Sequence, residues 1–347
     1  MSKVILPAEW HPQSAVQLTW PHEDTDWAPM LDEVIPCFVE IACAIMRFET
    51  VLIVCRDEKE VRGQLGDIDD SRVIFREIPS NDTWARDHGG ITVLDDGRPV
   101  VYDFVFNGWG MKFPANHDNL ITGLMFQYNV FDWDVDVINM QPFVLEGGSI
   151  ESDGQGTLLT TFGCLCSLNR NEYLRKEQLE ERLKLFFGLS RILWLKGGHL
   201  EGDDTDSHID TLARFCDERT IAYVQCEDAD DIHYLDLKAM EDELKSFRTA
   251  DGQRYRLIPL PMADKVVWDG RRLPATYANF LIINGAVLVP FYQSAQDEVV
   301  RLILQDVFPD REIIGINCLP LLKQHGSLHC VTMQYPKEIK FNNSKIQ

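Results

Sequence analysis

Positive charge is scarce in this 347-residue chain: 33 Lys+Arg stand against 55 Asp+Glu, a net charge of −22. That balance argues against nucleic-acid binding, which needs clustered Lys and Arg for phosphate contacts. No uninterrupted apolar run approaches the ~18 residues of a membrane span. The opening MSKVILPAEWHPQ lacks the apolar core of a signal peptide. Nine cysteines, an odd number with no secretion signal, fit a reducing compartment, so a cytoplasmic protein is expected. GxSxG, GxxxxGK[ST] and GxGxxG are all missing, and Gly154-Gln155-Gly156 reads as a turn. Cys164 and Cys166 make a lone CxC, too few ligands for structural zinc, and in a strand both would lie on one face. There is no low-complexity segment and no Pro/Ser/Gly-rich linker.

What is present is a repeat of element order rather than of residues. An amphipathic helix followed by a short apolar strand recurs five times. The pairs are MLDEVIPCFVEIACAIMRF with TVLIVC, HDNLITGLMFQYNV with WDVDVIN, KEQLEERLKLFFG with RILWLK, LKAMEDELKSF with RYRLIPL, and DEVVRLILQDVF with REIIGIN. Apolar residues spaced by three and four mark the helices, and near-continuous apolar runs mark buried strands. A polar segment and a hairpin follow each strand, with turn signals DDG, DGQG, DER and NG in the first four. The last hairpin is completed only if GSLHCVTMQYP pairs with the N-terminal strand SAVQLTW. The expectation is an α/β protein forming one domain over residues 1–347, with five similar ββαβ-type units in a ring and their junctions at its centre.

Chemically useful residues fall at those junctions. They are Trp84, Arg86 and Asp87 at the first, Glu146 at the second, Asp204, His208 and Asp210 at the third, and His329 and Cys330 at the fifth. Arg170 and the charges around KEQLEER read as a solvated helix face. A thiol nucleophile needs a neighbour that favours thiolate, and a ring of carboxylates does the reverse. A cationic substrate resolves the conflict: a planar guanidinium offers five N–H donors to paired carboxylates. The segment EGDDTDSHID permits a second reading. Asp204, Asp206, His208 and Asp210, at alternate positions of a strand, suit a hard divalent cation in a metal-dependent hydrolase. A plain binding protein for cations is a third.

The stretches PAEWHP, WARDHGG, FNGWG, LEGGSIESDGQGTLLTT, GDDTDSHIDTLARF, YANFLIINGAVLVP and GSLHCVTMQYP resemble agmatine deiminases, within the bacterial-type peptidylarginine deiminase family. The resemblance runs from about Pro7 to Pro336. It implies the pentein fold, a five-bladed α/β propeller, and cysteine-dependent hydrolysis of a small cationic guanidine without cofactor or metal. By position it makes Cys330 the nucleophile, His208 the general acid/base, Asp87 and Asp210 the guanidinium clamps, and Glu146 the carboxylate beside the histidine. Agmatine is the expected substrate, with free or peptidyl arginine as the alternative. Asp204, Trp84 and Trp109 are expected to line the rest of its site. The family's glycine-rich GGGNIHC reads QHGSLHC here, so the loop before Cys330 departs from the pattern. No nucleic-acid or membrane partner is expected, and homo-oligomerisation is left open.

Overall fold

In a computed structural model describing residues 3–342, all five helix–strand pairs are present. The helices are Leu31–Met46, Ile121–Gln127, Lys176–Phe187, Tyr234–Ser246 and Gln296–Val307. Each buries the apolar stripe that its spacing predicts, as Leu179, Leu183 and Phe187 do on the third. Burying such a side chain is worth about 1.5–3 kcal/mol, so these stripes decide which face of each helix meets its sheet.

Four hairpins are local in sequence. Ile91–Asp95 pairs with Arg98–Val105, Ile150–Ser152 with Thr157–Thr161, Ala213–Asp217 with Thr220–Gln225, and Leu281–Ile283 with Ala286–Phe291, all antiparallel. The strand after each helix then adds in parallel to the second hairpin strand, as Glu312–Asn317 adds to Ala286–Phe291. The fifth hairpin joins the two ends of the chain. Thr332–Pro336 runs antiparallel to Gln13–Thr19, with Thr332 opposite Leu18 and Tyr335 opposite Ala15. The pairing expected of SAVQLTW is therefore the one observed.

Three features differ from expectation. Asp136–Val144, read as a buried strand, is mostly exposed, because it is the edge of its sheet and only Phe143 and Val144 are buried. Four strands escape the pattern among the described residues: Val4–Ile5 extends the first unit, Val73–Glu77 adds a fourth strand to the sheet built on Gln13–Thr19, and Val267–Trp268 pairs with Arg271–Arg272 in a separate two-stranded ribbon. The CxC segment is not a strand. Cys164 lies in the turn of helix Phe162–Leu165, capped by the Thr161 hydroxyl, and Cys166 follows its end. All nine cysteines are free. Among the described residues no helix is long and apolar enough to cross a membrane.

The apolar core is divided into clusters between helices and sheets. Glu9, Arg86, Asp87, Glu146, Glu151, His208, Asp210, Arg214, Asn279 and His329 are buried as well. So many buried charges stand only where they pair, and their pairing builds the site.

Candidate active site

One-turn segments precede four of the first hairpin strands: Ala85–His88, Gly147–Ser149, Ile209–Thr211 and His329–Val331. Ala85–His88 packs against both Gly147–Ser149 and His329–Val331, and Gly147–Ser149 also packs against Ile209–Thr211. The two glycines after Glu146 make this approach possible. A Cβ on Gly147 would lie 2.2 Å from the Arg86 carbonyl oxygen. A Cβ on Gly148 would lie 2.6 Å from His208 Nδ1, 2.8 Å from Asp87 Oδ1 and 3.1 Å from Asp210 Oδ2. Three of the expected reactive groups thus surround a single backbone position.

Asp87 is held by both oxygens. The Gly148 N–H donates to Oδ1 at 3.0 Å and the Trp109 indole N–H to Oδ2 at 2.9 Å, while His208 Nδ1 lies 3.6 Å from Oδ1. Cys330 Sγ lies 4.0 Å from Asp210 Oδ2 and 3.5 Å from Asn279 Oδ1. Glu146 is beside the histidine, as the resemblance implies: Glu146, Cys164 and His208 each offer a donor atom, all within 4.8 Å of one another. Above them opens a cavity of about 580 Å³, lined by Asp87, Cys330, Trp84, Trp109 and Asp204 among others. Trp84 and Trp109 form its aromatic wall, edge to face with centroids 6.4 Å apart.

Burial governs the protonation of these groups. It lifts the Asp87 carboxyl to about 6, against the opposing pull of His208. Cys330 is pushed well above the usual thiol range by burial and by Asp210 and Asp87. Burial alone would lower His208, but Asp87, Cys164 and Glu146 hold it well above its ordinary value. Both shifts run toward a neutral Cys330 thiol beside a charged His208 imidazole.

The acids of EGDDTDSHID have separate occupations, and the segment is not a strand. Asp206 and Ser207 take φ of 67° and 68°, and Ile209–Thr211 is a 3-10 turn. Asp203 ties the loop together by accepting from the N–H groups of Thr205 and Ser207. Asp206 binds Lys112 at 2.8 Å and Arg170 at 2.6 Å. Asp204 faces the cavity, and Asp210 lies beneath Cys330. Asp204, Asp206, His208 and Asp210 are therefore not a ligand set among the described residues, which corrects the metal reading. The Glu146–Cys164–His208 group does not suit a cation either. Both oxygens of Glu146 lie 2.9 Å from Arg170 Nε, and that guanidinium already supplies the positive charge.

Arg170 is the clearest correction. Its side chain is fully buried between Glu146 and Asp206 instead of lying on a solvated face. Asn279 was missed altogether. Its Oδ1 accepts from the His329 N–H at 2.9 Å and stands beside the Cys330 thiol. The usable signal was one amide in the apolar YANF, at the start of the fourth hairpin, where the other units carry reactive groups. Arg271 and His325 also line the cavity and were not anticipated. His325 takes φ of 67°, so the left-handed position in the loop before Cys330 is filled by a residue other than glycine.

A buried thiol, imidazole and paired carboxylates below an acid-rich cavity, on this α/β scaffold, match the deiminase class anticipated from the motifs. The chain belongs to the Porphyromonas-type peptidyl-arginine deiminase family, whose profile matches residues 5–336. A Porphyromonas gingivalis structure, assigned provisionally as an arginine deiminase, is 60% identical with a TM-score of 0.94, covering 97% of this chain and 99% of that one. A C. jejuni agmatine deiminase, solved as a cysteine-to-serine variant with substrate bound, is 39% identical with a TM-score of 0.91, covering 97% of each chain. Agmatine deiminase of Pseudomonas aeruginosa (strain LESB58) is 32% identical over 361 residues, which is 95% of each chain.

Proposed function

We propose that this protein is an agmatine deiminase, converting agmatine and water to N-carbamoylputrescine and ammonia. We further propose one catalytic domain spanning 1–347, a pentein propeller whose five units surround the site, acting in the cytoplasm. One observation carries the catalytic reading: Asp210 Oδ1 is buried beside Cys330 without a hydrogen-bond partner. A buried acceptor left unpaired costs about 1–3 kcal/mol. A guanidinium seated between Asp87 and Asp210 would supply the missing N–H donors, and its charge would lower the Cys330 thiol so that its proton passes to solvent.

In this reading the Cys330 thiolate attacks the central guanidine carbon, forming a C–S bond. His208, already imidazolium, gives its proton to the departing nitrogen, and the C–N bond breaks to release ammonia. An S-alkylthiouronium remains on Cys330. Neutral His208 then takes a proton from water as that water adds to the same carbon. Collapse breaks the C–S bond as the added hydroxyl gives its proton to solvent and becomes the carbonyl of the carbamoyl product, and the thiolate returns. General acid/base help of this kind is typically worth ~10²–10⁴ in rate. Cys330→Ala is expected to abolish ammonia release, and mass spectrometry of acid-quenched wild type should find the adduct on Cys330. Normal turnover by Cys330→Ala would overturn the assignment.

Deimination of free arginine has one observation in its favour, Arg271 at the cavity, where an α-carboxylate could meet it. Against it, Asp26, Asp82, Glu201, Asp203 and Asp204 share that cavity, and Arg272 is already bound to Asp231 at 2.7 Å. This excess of acid suits the distal ammonium of agmatine and repels a carboxylate. Kinetics on agmatine, arginine and an arginyl peptide decide between them: an equal or higher kcat/KM for either arginine substrate would overturn the choice of agmatine.

A further inference from the structure

Glu9 of PAEWHP and His329 of GSLHC take no part in the steps above, yet both are buried at the polar centre. The His329 ring lies between two carboxylates. Its Nδ1 is 2.7 Å from Asp210 Oδ2 and its Nε2 is 2.6 Å from Glu9 Oε2. An ionised carboxylate only accepts, and a neutral imidazole has one N–H. Two contacts this short need a donor at each end, so the three groups share one proton more than a neutral ring and two anions would carry.

The surroundings place that proton on the ring. Glu9 Oε2 lies 2.8 Å from Arg214 Nη2 and 3.6 Å from Arg86 Nη2, and Oε1 accepts from the Ile282 N–H at 2.7 Å. Burial opposes its charge, but Arg214 and His329 hold Glu9 well below the usual carboxylate range. Asp210 is likewise lowered against burial, chiefly by His329. The net effect of burial and the two arginines is to lower His329 below its ordinary value against the pull of the two carboxylates, yet contacts of 2.7 and 2.6 Å to two lowered carboxylates each need an N–H from the ring, and this geometry favours the cation. The charged groups facing this triad are Arg86, Arg214 and Glu151, with His208 and Asp87 beside Asp210 and Glu49 and Arg311 near Glu9.

We propose that His329 is a positioning residue, an imidazolium clamped between Glu9 and Asp210, which keeps the Asp210 carboxylate anionic and turned so that Oδ1 is free for the guanidinium. This rests on the guanidine reading above. Neighbours in sequence thereby divide the work: Cys330 carries the chemistry, and His329 orients the carboxylate beneath it. Glu9 is the outer anchor, contributed by the N-terminal segment.

The test uses full-length protein labelled with ¹⁵N-histidine. The His329 ring, assigned by its loss in His329→Gln, is expected to show two protonated nitrogens from pH 6 to 8. A neutral ring at pH 7 would overturn the proposal, and this readout does not depend on any variant being active. In the second arm, folded His329→Gln and Glu9→Gln are each expected to raise the agmatine KM at least ten-fold, with a smaller change in kcat. KM within two-fold of wild type in both would also overturn it. Ammonia release and the Cys330 adduct in wild type test the deiminase reading separately. Their absence beside an intact imidazolium signal would fault that reading and not the triad.

Discussion

Asp87 shows how far one residue's behaviour depends on burial. Its carboxyl is lifted to about 6, and the guanidinium clamp proposed for it must be anionic. Below that pH the free enzyme takes up a proton and loses the clamp, so kcat/KM for agmatine is expected to fall on the acid side of about pH 6. Asp87→Asn should lose activity at every pH, and a wild-type kcat/KM profile with no acid limb near pH 6 would refute the link. Arg170 is a matter of stability. Between Glu146 and Asp206 it balances two carboxylates, and removing one partner of a buried pair typically costs about 3–5 kcal/mol. Arg170→Met should lower the denaturant midpoint accordingly, and a loss under 1 kcal/mol would show that Glu146 finds other compensation. Sequence gave no warning of this burial, because an Arg followed by Asn and Glu looks the same on a surface as beneath one.

At the scale of elements, the short turns before the hairpins matter most. Gly148 is needed there for space, since its Cβ would stand 2.6 Å from His208 Nδ1. Displacement of about 1 Å at a reacting group can cost ~10² in rate. Gly148→Ala is therefore expected to lower kcat by at least about a hundred-fold while the protein remains folded by circular dichroism. Near-normal kcat would mean that the turn relaxes freely. Helices and hairpins were legible because hydrophobic period and turn chemistry are local. EGDDTDSHID was not, since five carboxylates in ten residues fit a strand, a metal loop or a solvated turn equally well. Its course was set by Lys112 and Arg170, which lie far away in sequence and hold Asp206.

For the whole molecule, the net charge of −22 has a kinetic consequence. An acidic field attracts a cationic substrate, and salt screens it with a Debye length of about 10 Å at 0.1 M. Raising NaCl from about 10 to about 300 mM, which shortens the Debye length from about 30 Å to about 6 Å, should lower kcat/KM for agmatine a few-fold and leave kcat nearly unchanged. A flat profile would confine the electrostatics to the cavity. There, Asp204→Asn should raise the agmatine KM more than it lowers kcat, and the reverse split would remove Asp204 from the distal ammonium. The pairing of Thr332–Pro336 with Gln13–Thr19 works at this scale too. It brings Glu9, close to one end of the chain, to His329, close to the other.

Period, turn signals and residue type determined by themselves the five helix–strand units, the pairing of the two chain ends, and Asp87, Glu146, His208, Asp210 and Cys330 as candidates. These follow from local rules: an amphipathic stripe must be covered, and each backbone turn admits few residue types. Only the tertiary structure decided which charges are buried, which acid meets which base, and where protons lie. Arg170, Asn279 and the Glu9–His329–Asp210 triad have partners 24 to 320 positions away. Their energies depend on distances of a few ångströms in a medium of low dielectric, and those exist only once the chain has closed around them.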